Sequence, residues 1–419
     1  MPLSGRDVIL RIERKVDRYL GPPLVGLLSL LPSRRSRAQD SDVPRRILLI
    51  KLHGIGNIVL LLPVIRRLRS GFPEAEIDFL SFRSNAGILE GLEEITARHY
   101  LDRGSPWRLF RSTVRTFRRI RGRAYDLVID FDQFAHFSSI ATLVTGAPER
   151  IGFRNPTLRR HWAYTMPVVY LDMSHVSRTF SRLAETAGAV GDPVVSRRLP
   201  VHPRDREELA GFFRKVGIRA GEDLAVLHPG SSENLTLRRW PADRFSGLGD
   251  RIAGELGFRI VISGGAGETR LAETVRRGMR HPAVNAAGML PLSGFAALCE
   301  SARFVVSNDT AAVHVASAMG TPVVGLFGPN TPFLYGPLGS DDLVYYRDLP
   351  CSPCLCNLTS KMSSCRRARC MEEITVDAVF EGIRARYYGN FPHRRPGRAV
   401  FAGSSAGRPA IPTSMGAGP

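Results

Sequence analysis

The chain has 419 residues, 43% of them hydrophobic, which is enough to bury a core in each of two ordinary domains and excludes disorder throughout. A formal net charge of +19 gives it a surface field that draws anions, but charge alone does not choose among phosphorylated small molecules, nucleic acid and an acidic membrane face. Six cysteines in a chain of this size do not make a disulfide scaffold and suit a reducing compartment.

Residues 1–44 read as an N-terminal extension. It opens with mixed charge (Asp7, Arg11, Glu13, Arg14, Lys15) and continues into an apolar stretch from Leu20 to Leu31. That stretch is shorter than the roughly 20 uninterrupted apolar residues of a spanning helix, and the start is not that of a secretory signal. With Arg34, Arg35 and Arg37 behind it, it reads as an interfacial anchor on an anionic leaflet or as a helix packed on the protein's own surface.

Arg45 to Leu52 is a continuous apolar run with basic flanks, the pattern of a strand buried on both faces. Gly54-Ile55-Gly56 and a helical pattern to about Arg69 follow, then a strand from Ile77 to Phe82, an arginine-rich helix, and a strand from Asp126 to Phe131. Arg150-Ile151-Gly152-Phe153 closes the unit, and the alternation predicts a parallel sheet covered on both sides. In the arginine-rich helix, Trp107, Phe110, Val114, Phe117 and Ile120 fall at helical spacing and are expected in the core. Eight arginines lie between Arg103 and Arg123 with no acidic residue until Asp126. This face is read as solvated, or as a seat for phosphorylated lipid or membrane head groups. No nucleic-acid partner is expected, because the aromatic residues do not interleave with the basic ones.

After a polar bridge from Arg197 to Glu222 the pattern restarts, with strands at Leu224 to Leu227, Phe258 to Ser263, Phe304 to Ser307 and Pro322 to Phe327. Helices fall at Pro241 to Leu256, Glu268 to Met279, Leu292 to Ala302 and Thr310 to Met319. A last helix, Val376 to Tyr388, is expected to cross back and brace the first half. The tail 390–419 has no acidic residue and is expected to be disordered. The expected domains are therefore 45–205 and 206–389, flanked by the extension and the tail.

Ligands of open α/β sheets bind beyond the C-terminal ends of the strands, so the strand-end loops are the candidate sites. His228-Pro229-Gly230-Ser231-Ser232, followed by Arg238-Arg239-Trp240-Pro241, offers small residues, hydroxyls and a cation beside a helix start, a combination suited to phosphate. Ser263-Gly264-Gly265-Ala266-Gly267-Glu268 ends in an acid that either accepts from ribose hydroxyls or is an ordinary first-turn acid. Ser307-Asn308-Asp309-Thr310 opens a helix carrying His314, with Asp309 as N-cap by position. With Gly325 to Pro329 as a wall, this loop favours a diphosphate and sugar pocket.

The segments ILLIKLHGIGNIVLLLP, HPGSS with RRWP, SGGAGE and VVSNDTAAVHVASAMGTPVVGLFGP together resemble the bacterial heptosyltransferase-type glycosyltransferases, family 9, from about Arg45 to Ile383. The resemblance implies a GT-B architecture, an α/β fold of two Rossmann-like doubly wound domains facing across a cleft. It implies inverting transfer, with no required cofactor or metal, from a nucleotide sugar, ADP-linked, to a lipopolysaccharide-core or other glycolipid acceptor. The expected location is cytoplasmic, peripheral on the inner face of the cytoplasmic membrane. Carried over by position, Ser231, Ser232 and Arg238 fall at the donor's phosphates or sugar, and Glu268 at its ribose. Leu290 falls beside the adenine pocket, and Asp309, Thr310 and His314 at the sugar and phosphate motif. The family commonly places a basic Asp directly after the glycine of the first loop; here that position is Asn57, and a neutral amide takes no proton. Asp132 is the first candidate for the missing base and His53 the second, with Asn57 orienting the acceptor; the plainer reading is that Asp130 and Asp132 cap a turn. A metal-binding role for Asp130-x-Asp132 is discounted, because the surrounding pattern is doubly wound. Competing functions are a nucleotide-sugar-binding protein without transfer, which Asn57 suggests, and a nucleotide-sugar hydrolase or epimerase. Cys351, Cys354, Cys356, Cys365 and Cys370 form either a zinc-stapled loop or reduced thiols packed in one.

Overall fold

A computed structural model describes residues 5–33, 43–155, 158–189, 198–355 and 363–388; Arg34, Arg35, Arg37, Cys356 and the 390–419 tail lie outside them. Helix α1 (Gly5–Ser29) precedes a first half made of β1 (Arg46–Ile50), α2 (Ile55–Gly71), β2 (Glu76–Phe82), α3 (Ala86–Leu89), β3 (Ala97–Leu101) and α4 (Pro106–Arg123). It continues with β4 (Leu127–Asp130), α5 (His136–Thr145), β5 (Glu149–Arg154), β6 (Met166–Val169) and α6 (Val176–Thr186). The second half runs α7 (Pro203–Lys215), β7 (Leu224–His228), α8 (Ala242–Leu256), β8 (Arg259–Ile262), α9 (Thr269–Gly278), β9 (Ala283–Asn285) and α10 (Leu292–Ser301). Then come β10 (Phe304–Asn308), α11 (Ala311–Ala318), β11 (Val323–Phe327), α12 (Pro332–Tyr335), β12 (Leu343–Tyr346), α13 (Arg369–Glu372) and α14 (Val376–Ile383).

Each half holds a six-stranded parallel sheet, ordered β3-β2-β1-β4-β5-β6 in the first and β12-β11-β10-β7-β8-β9 in the second, the same doubly wound order used twice. The order reverses between β1 and β4 and between β7 and β10. The loops after those four strands therefore open onto the two crevices where such sheets bind ligands. Register sets the detail: Ile50 pairs with Asp130, which brings the loop after β1 beside the loop after β4.

The strands legible as apolar runs are the central ones. β3, β6, β9 and β12 were not expected, and all four are sheet edges, where partial exposure admits residues such as Arg98 in β3 and Asn285 in β9. The expected boundary at 205/206 falls inside α7, which packs on α10 and so belongs with the second half. The last helix also departs from expectation, since α14 braces the second half rather than the first. Val379, Phe380 and Ile383 join the core of Phe245, Leu248 and Ile252, while Arg251 lies 3.7 Å over the Phe380 ring and pairs with Asp377.

The stripe on α4 divides. Phe117 and Ile120 pack inward with Leu109, but Trp107 and Phe110, expected in the core, stand in solvent and stack on each other at 5.6 Å. The helix instead buries Thr116 and Ile120, which lie on a different side of it from Trp107. Helix α1 lies on α5 and the short turn Arg159–Ala163: Asp17 accepts from the backbone N–H groups of His136 and Phe137 at the start of α5, and Val25 is buried with Ala163 and Tyr164. No helix among the described residues is long and apolar enough to cross a membrane.

Candidate active site

On the first-domain side the site is built around a buried ion pair. Lys51 follows β1 and is almost fully buried; its Nζ donates to Asp132 Oδ1 at 2.8 Å and to Gln133 Oε1 at 3.1 Å. The Leu52 backbone N–H donates to Asp132 Oδ2 at 2.7 Å, tying the loop after β1 to the loop after β4. Burial alone would raise the Asp132 pKa, but the Lys51 charge and the neighbouring His53 outweigh it and hold the carboxyl well below its usual range. A buried carboxylate held in this way is a poor proton acceptor, so the geometry speaks against Asp132, the first candidate base. His53 keeps 48% of its side chain exposed, with Nδ1 3.8 Å from Asp132 Oδ1 and its ring edge-on to Phe82 at 5.1 Å. Asn57 lies in the first turn of α2 with its amide over Gly54, whose φ of +87° demands glycine.

Asp130 is engaged elsewhere. Its Oδ2 takes hydrogen bonds from Arg160 Nη2 (2.9 Å), Ser138 Oγ and Tyr164 OH, and Oδ1 accepts from the Asp132 backbone N–H. Arg160 also donates to the Asp132 carbonyl and to Ser139. The Asp130-x-Asp132 pair is thus two buried ion pairs back to back, which explains the spacing without a metal.

On the second-domain side, Asn308 clamps two loops together. Its Nδ2 donates to the carbonyls of Pro229 and Gly230, and its Oδ1 accepts from the Trp240 backbone N–H at 2.9 Å. The clamp fixes Arg238, whose Nε lies 3.3 Å from Asp309 Oδ2 and whose Nη1 donates to the Asp309 carbonyl. Arg238 is 9% exposed, and its Nη2 has no hydrogen-bond partner among the described residues. Asp309 is further held by Asn330 Nδ2 at 2.8 Å. The N-cap of α11 is Thr310 rather than the expected Asp309: the Thr310 hydroxyl accepts from the Ala312 N–H, which leaves the Asp309 carboxylate for Arg238 and Asn330. Ser231 is tied to Leu235 and Arg239, whereas Ser232 is exposed on the same loop.

Glu268 does two things. It accepts from the Gly265 N–H at 2.7 Å as a first-turn acid, and its carboxylate crosses over Gly230, where a Cβ would come within 2.0 Å of Oε1. It also lies 4.0 Å from His228, whose pKa burial pushes down against the pull of Glu268. If Glu268 holds a nucleotide ribose, as its position implies, Gly230→Ala is expected to swing the flexible Glu268 away and weaken that binding about tenfold by calorimetry, with the melting temperature unchanged. Unchanged binding would remove Glu268 from the site. Leu290 is half-buried in the loop after β9, which approaches the Glu268 turn where Gly288 N–H donates to the Gly264 carbonyl.

His314 joins the two halves. A Cβ on Gly56 would come within 2.6 Å of its Cδ2 and 3.3 Å of the Ala311 Cα, so the missing side chain lets α11 meet the first turn of α2. The structure therefore brings His53 and Asn57 to the edge of one sheet and Ser231, Ser232, Arg238, Glu268, Asp309 and Thr310 to the edge of the other, with Gly56 against His314 between them. Sequence reasoning missed Lys51 and Asn330. A lysine inside an otherwise apolar strand run was the signal for the first; Asn330, just past Gly328-Pro329, carried none. Among the described residues no group of three metal-ligating side chains occurs, and Cys351, Cys354, Cys365 and Cys370 are free thiols.

The sequence profile of glycosyltransferase family 9 (heptosyltransferase) matches residues 113–363. Lipopolysaccharide heptosyltransferase 1 of Pseudomonas aeruginosa is 26% identical over 74% of this chain and 86% of its own length. The family 9 glycosyltransferase of Veillonella parvula superimposes with a TM-score of 0.69 at 21% identity, covering 81% of this chain and 96% of that one. The Escherichia coli heptosyltransferase WaaC with ADP gives a TM-score of 0.61 at 20% identity over 81% and 99%. Two doubly wound sheets, a cleft lined from both and a profile match over most of the chain converge: the chain belongs to glycosyltransferase family 9, and it is a glycosyltransferase.

Proposed function

We propose that the protein transfers a heptose-type sugar, with inversion, from an ADP-linked donor held by the second domain to a lipopolysaccharide-core acceptor at the first, working peripherally on the inner face of the cytoplasmic membrane. The observation that carries this reading is the buried Arg238–Asp309 pair with its unpartnered Arg238 Nη2 at the start of α11. A guanidinium edge without a partner in a buried setting is costly unless an anion completes it, and a diphosphate beside a helix N-terminus does so. The relatives named for ADP and for lipopolysaccharide supply the donor and acceptor classes.

In this mechanism His53 takes the proton from the acceptor hydroxyl, whose oxygen attacks the anomeric carbon as the bond to the diphosphate breaks. Asp132, held by Lys51, steadies the imidazolium that forms, and Asn57 orients the acceptor. Arg238 and the N–H groups at the start of α11 stabilise the charge on the departing ADP. His53 is exposed enough to return its proton to solvent.

Donor binding tests the reading. ADP is expected to raise the melting temperature of the wild-type protein, with GDP and UDP well behind. Arg238→Gln and Asp309→Ala are each expected to cost about 2–3 kcal/mol of ADP affinity, roughly 30- to 150-fold. An Asp309→Ala protein with full transfer activity, or equal stabilisation by UDP and GDP, would sink the assignment.

A further inference from the structure

Helix α1 has two faces. Asp17, Gly21 and Val25 pack on α5 and its neighbours, and Gly21 and Gly26 let His136 and Trp162 approach. The opposite face carries Val16, Leu20, Leu24 and Leu27 at three- and four-residue spacing, joined by Tyr19, and Leu30 and Leu31 follow just past the helix end; all are exposed, from 44% at Leu24 to 80% at Leu30. Five large apolar side chains on one outward arc, with two more just past the helix end, form more than the scattered apolar surface of a soluble domain.

Helix α4 flanks α5 on its other side, so α4, α5 and α1 form one layer. Its outward face carries the stacked Trp107–Phe110 pair and Arg108, Arg111, Arg115, Arg118 and Arg119, with no acidic residue on the helix. Among the described residues none of these five arginines has a carboxylate partner. The layer therefore combines an apolar arc, an exposed aromatic pair and a cluster of uncompensated positive charge.

We infer that the outer face of the α1–α4 layer is a docking surface for an anionic lipid bilayer, with α1 lying in the interface plane. Charge selects this occupant over a second copy of the chain: across an isologous contact the α4 arginines would face their own kind, whereas acidic head groups neutralise them. Tryptophan beside arginine suits the head-group boundary, where an aromatic body and a polar edge are both accommodated. The surface also lies where a lipid-anchored acceptor would need it. Helices α4 and α5 start at the C-terminal edge of the first sheet, and Arg103, just ahead of α4, lies 4.6 Å over the Phe82 ring that touches His53. Docking by this face brings the acceptor side of the cleft to the membrane. Its failure would leave the donor reading standing, because ADP binding involves none of these residues.

Flotation of the full chain with phosphatidylethanolamine vesicles, with and without phosphatidylglycerol, tests the surface. The protein is expected to float with the anionic vesicles and to be released as salt rises. The triple substitution R111E/R115E/R118E is expected to weaken binding about a hundredfold, and L20S/L24S/L27S by tenfold or more, both keeping the thermal shift with ADP. Equal flotation with vesicles lacking phosphatidylglycerol would overturn the inference, as would wild-type flotation of both variants. So would a variant that changes only the sedimenting mass and still floats, which would make the face a contact between copies. A variant that loses its ADP response is replaced by a reading on the folded chain: brominated lipids are expected to quench tryptophan fluorescence, and Trp107→Phe is expected to remove most of that quenching. Quenching unchanged in Trp107→Phe counts against the surface.

Discussion

Replacing His53 by alanine is expected to lower kcat by about two to four orders of magnitude, with ADP affinity within about twofold of wild type. The split is expected because His53 lies on the first-domain side of the cleft, on the loop after β1, while the loops proposed to hold the donor follow β7, β8 and β10. A merely structural role would lower stability as well, yet the side chain is half exposed, with its ring edge-on to Phe82 and Nδ1 3.8 Å from Asp132 Oδ1. The second half of the test uses Asn57, the position where the family commonly carries its base. In His53→Ala/Asn57→Asp a carboxylate stands four residues on, in the first turn of α2, and part of the lost rate is expected to return. A His53→Ala protein turning over within threefold of wild type would overturn the assignment and return the base to an unassigned group.

Sequence alone ranks Asp132 ahead of His53 for a physical reason. A sequence shows that Asp132 ends an apolar strand, but not that Lys51, 81 positions earlier, neutralises it in a site closed to water. Burial and a partner decide whether a carboxylate is a base, and neither is local. The same distinction runs through the fold. Central strands such as β1, β4 and β10 are covered on both faces and announce themselves as apolar runs, while edge strands such as β3, with Arg98 and His99, do not. The loops after β7, β8 and β10 were legible because small residues, hydroxyls and charges follow apolar runs directly. The roles within them were less so, since Asp309 and Thr310 are both competent N-caps and only the reach of Asn330 and Arg238 settles which one caps. The Trp107–Phe110 pair shows the limit of periodicity, because helical spacing identifies a stripe and not whether anything lies against it.

The largest loss of stability is expected from Arg160→Met. Arg160 and Asp130 are both fully buried, and the guanidinium divides its donors among Asp130, the Asp132 carbonyl, Ser139 and Tyr164. Removing it leaves a carboxylate shielded from bulk solvent and stripped of its counter-charge, a change that typically costs about 3–5 kcal/mol. In a domain of this size each kcal/mol lowers the melting temperature by about 2–4 °C, so a fall of about 6–20 °C is expected in thermal unfolding. The damage is also expected to reach the active site before the protein unfolds. Arg160 holds the Asp132 carbonyl, Asp132 holds Lys51 and the Leu52 amide, and Leu52 leads directly into His53. A partly folded Arg160→Met protein at low temperature is therefore expected to bind ADP normally and turn over slowly. Arg160→Met/Asp130→Asn removes both charges together, and it is expected to recover a substantial share of the stability, because a neutral amide in that cavity carries a smaller desolvation cost than a carboxylate. If the single variant melts with the wild type, or the double variant is no more stable than the single, the Asp130–Arg160 pair is not what holds the first-domain loops in register.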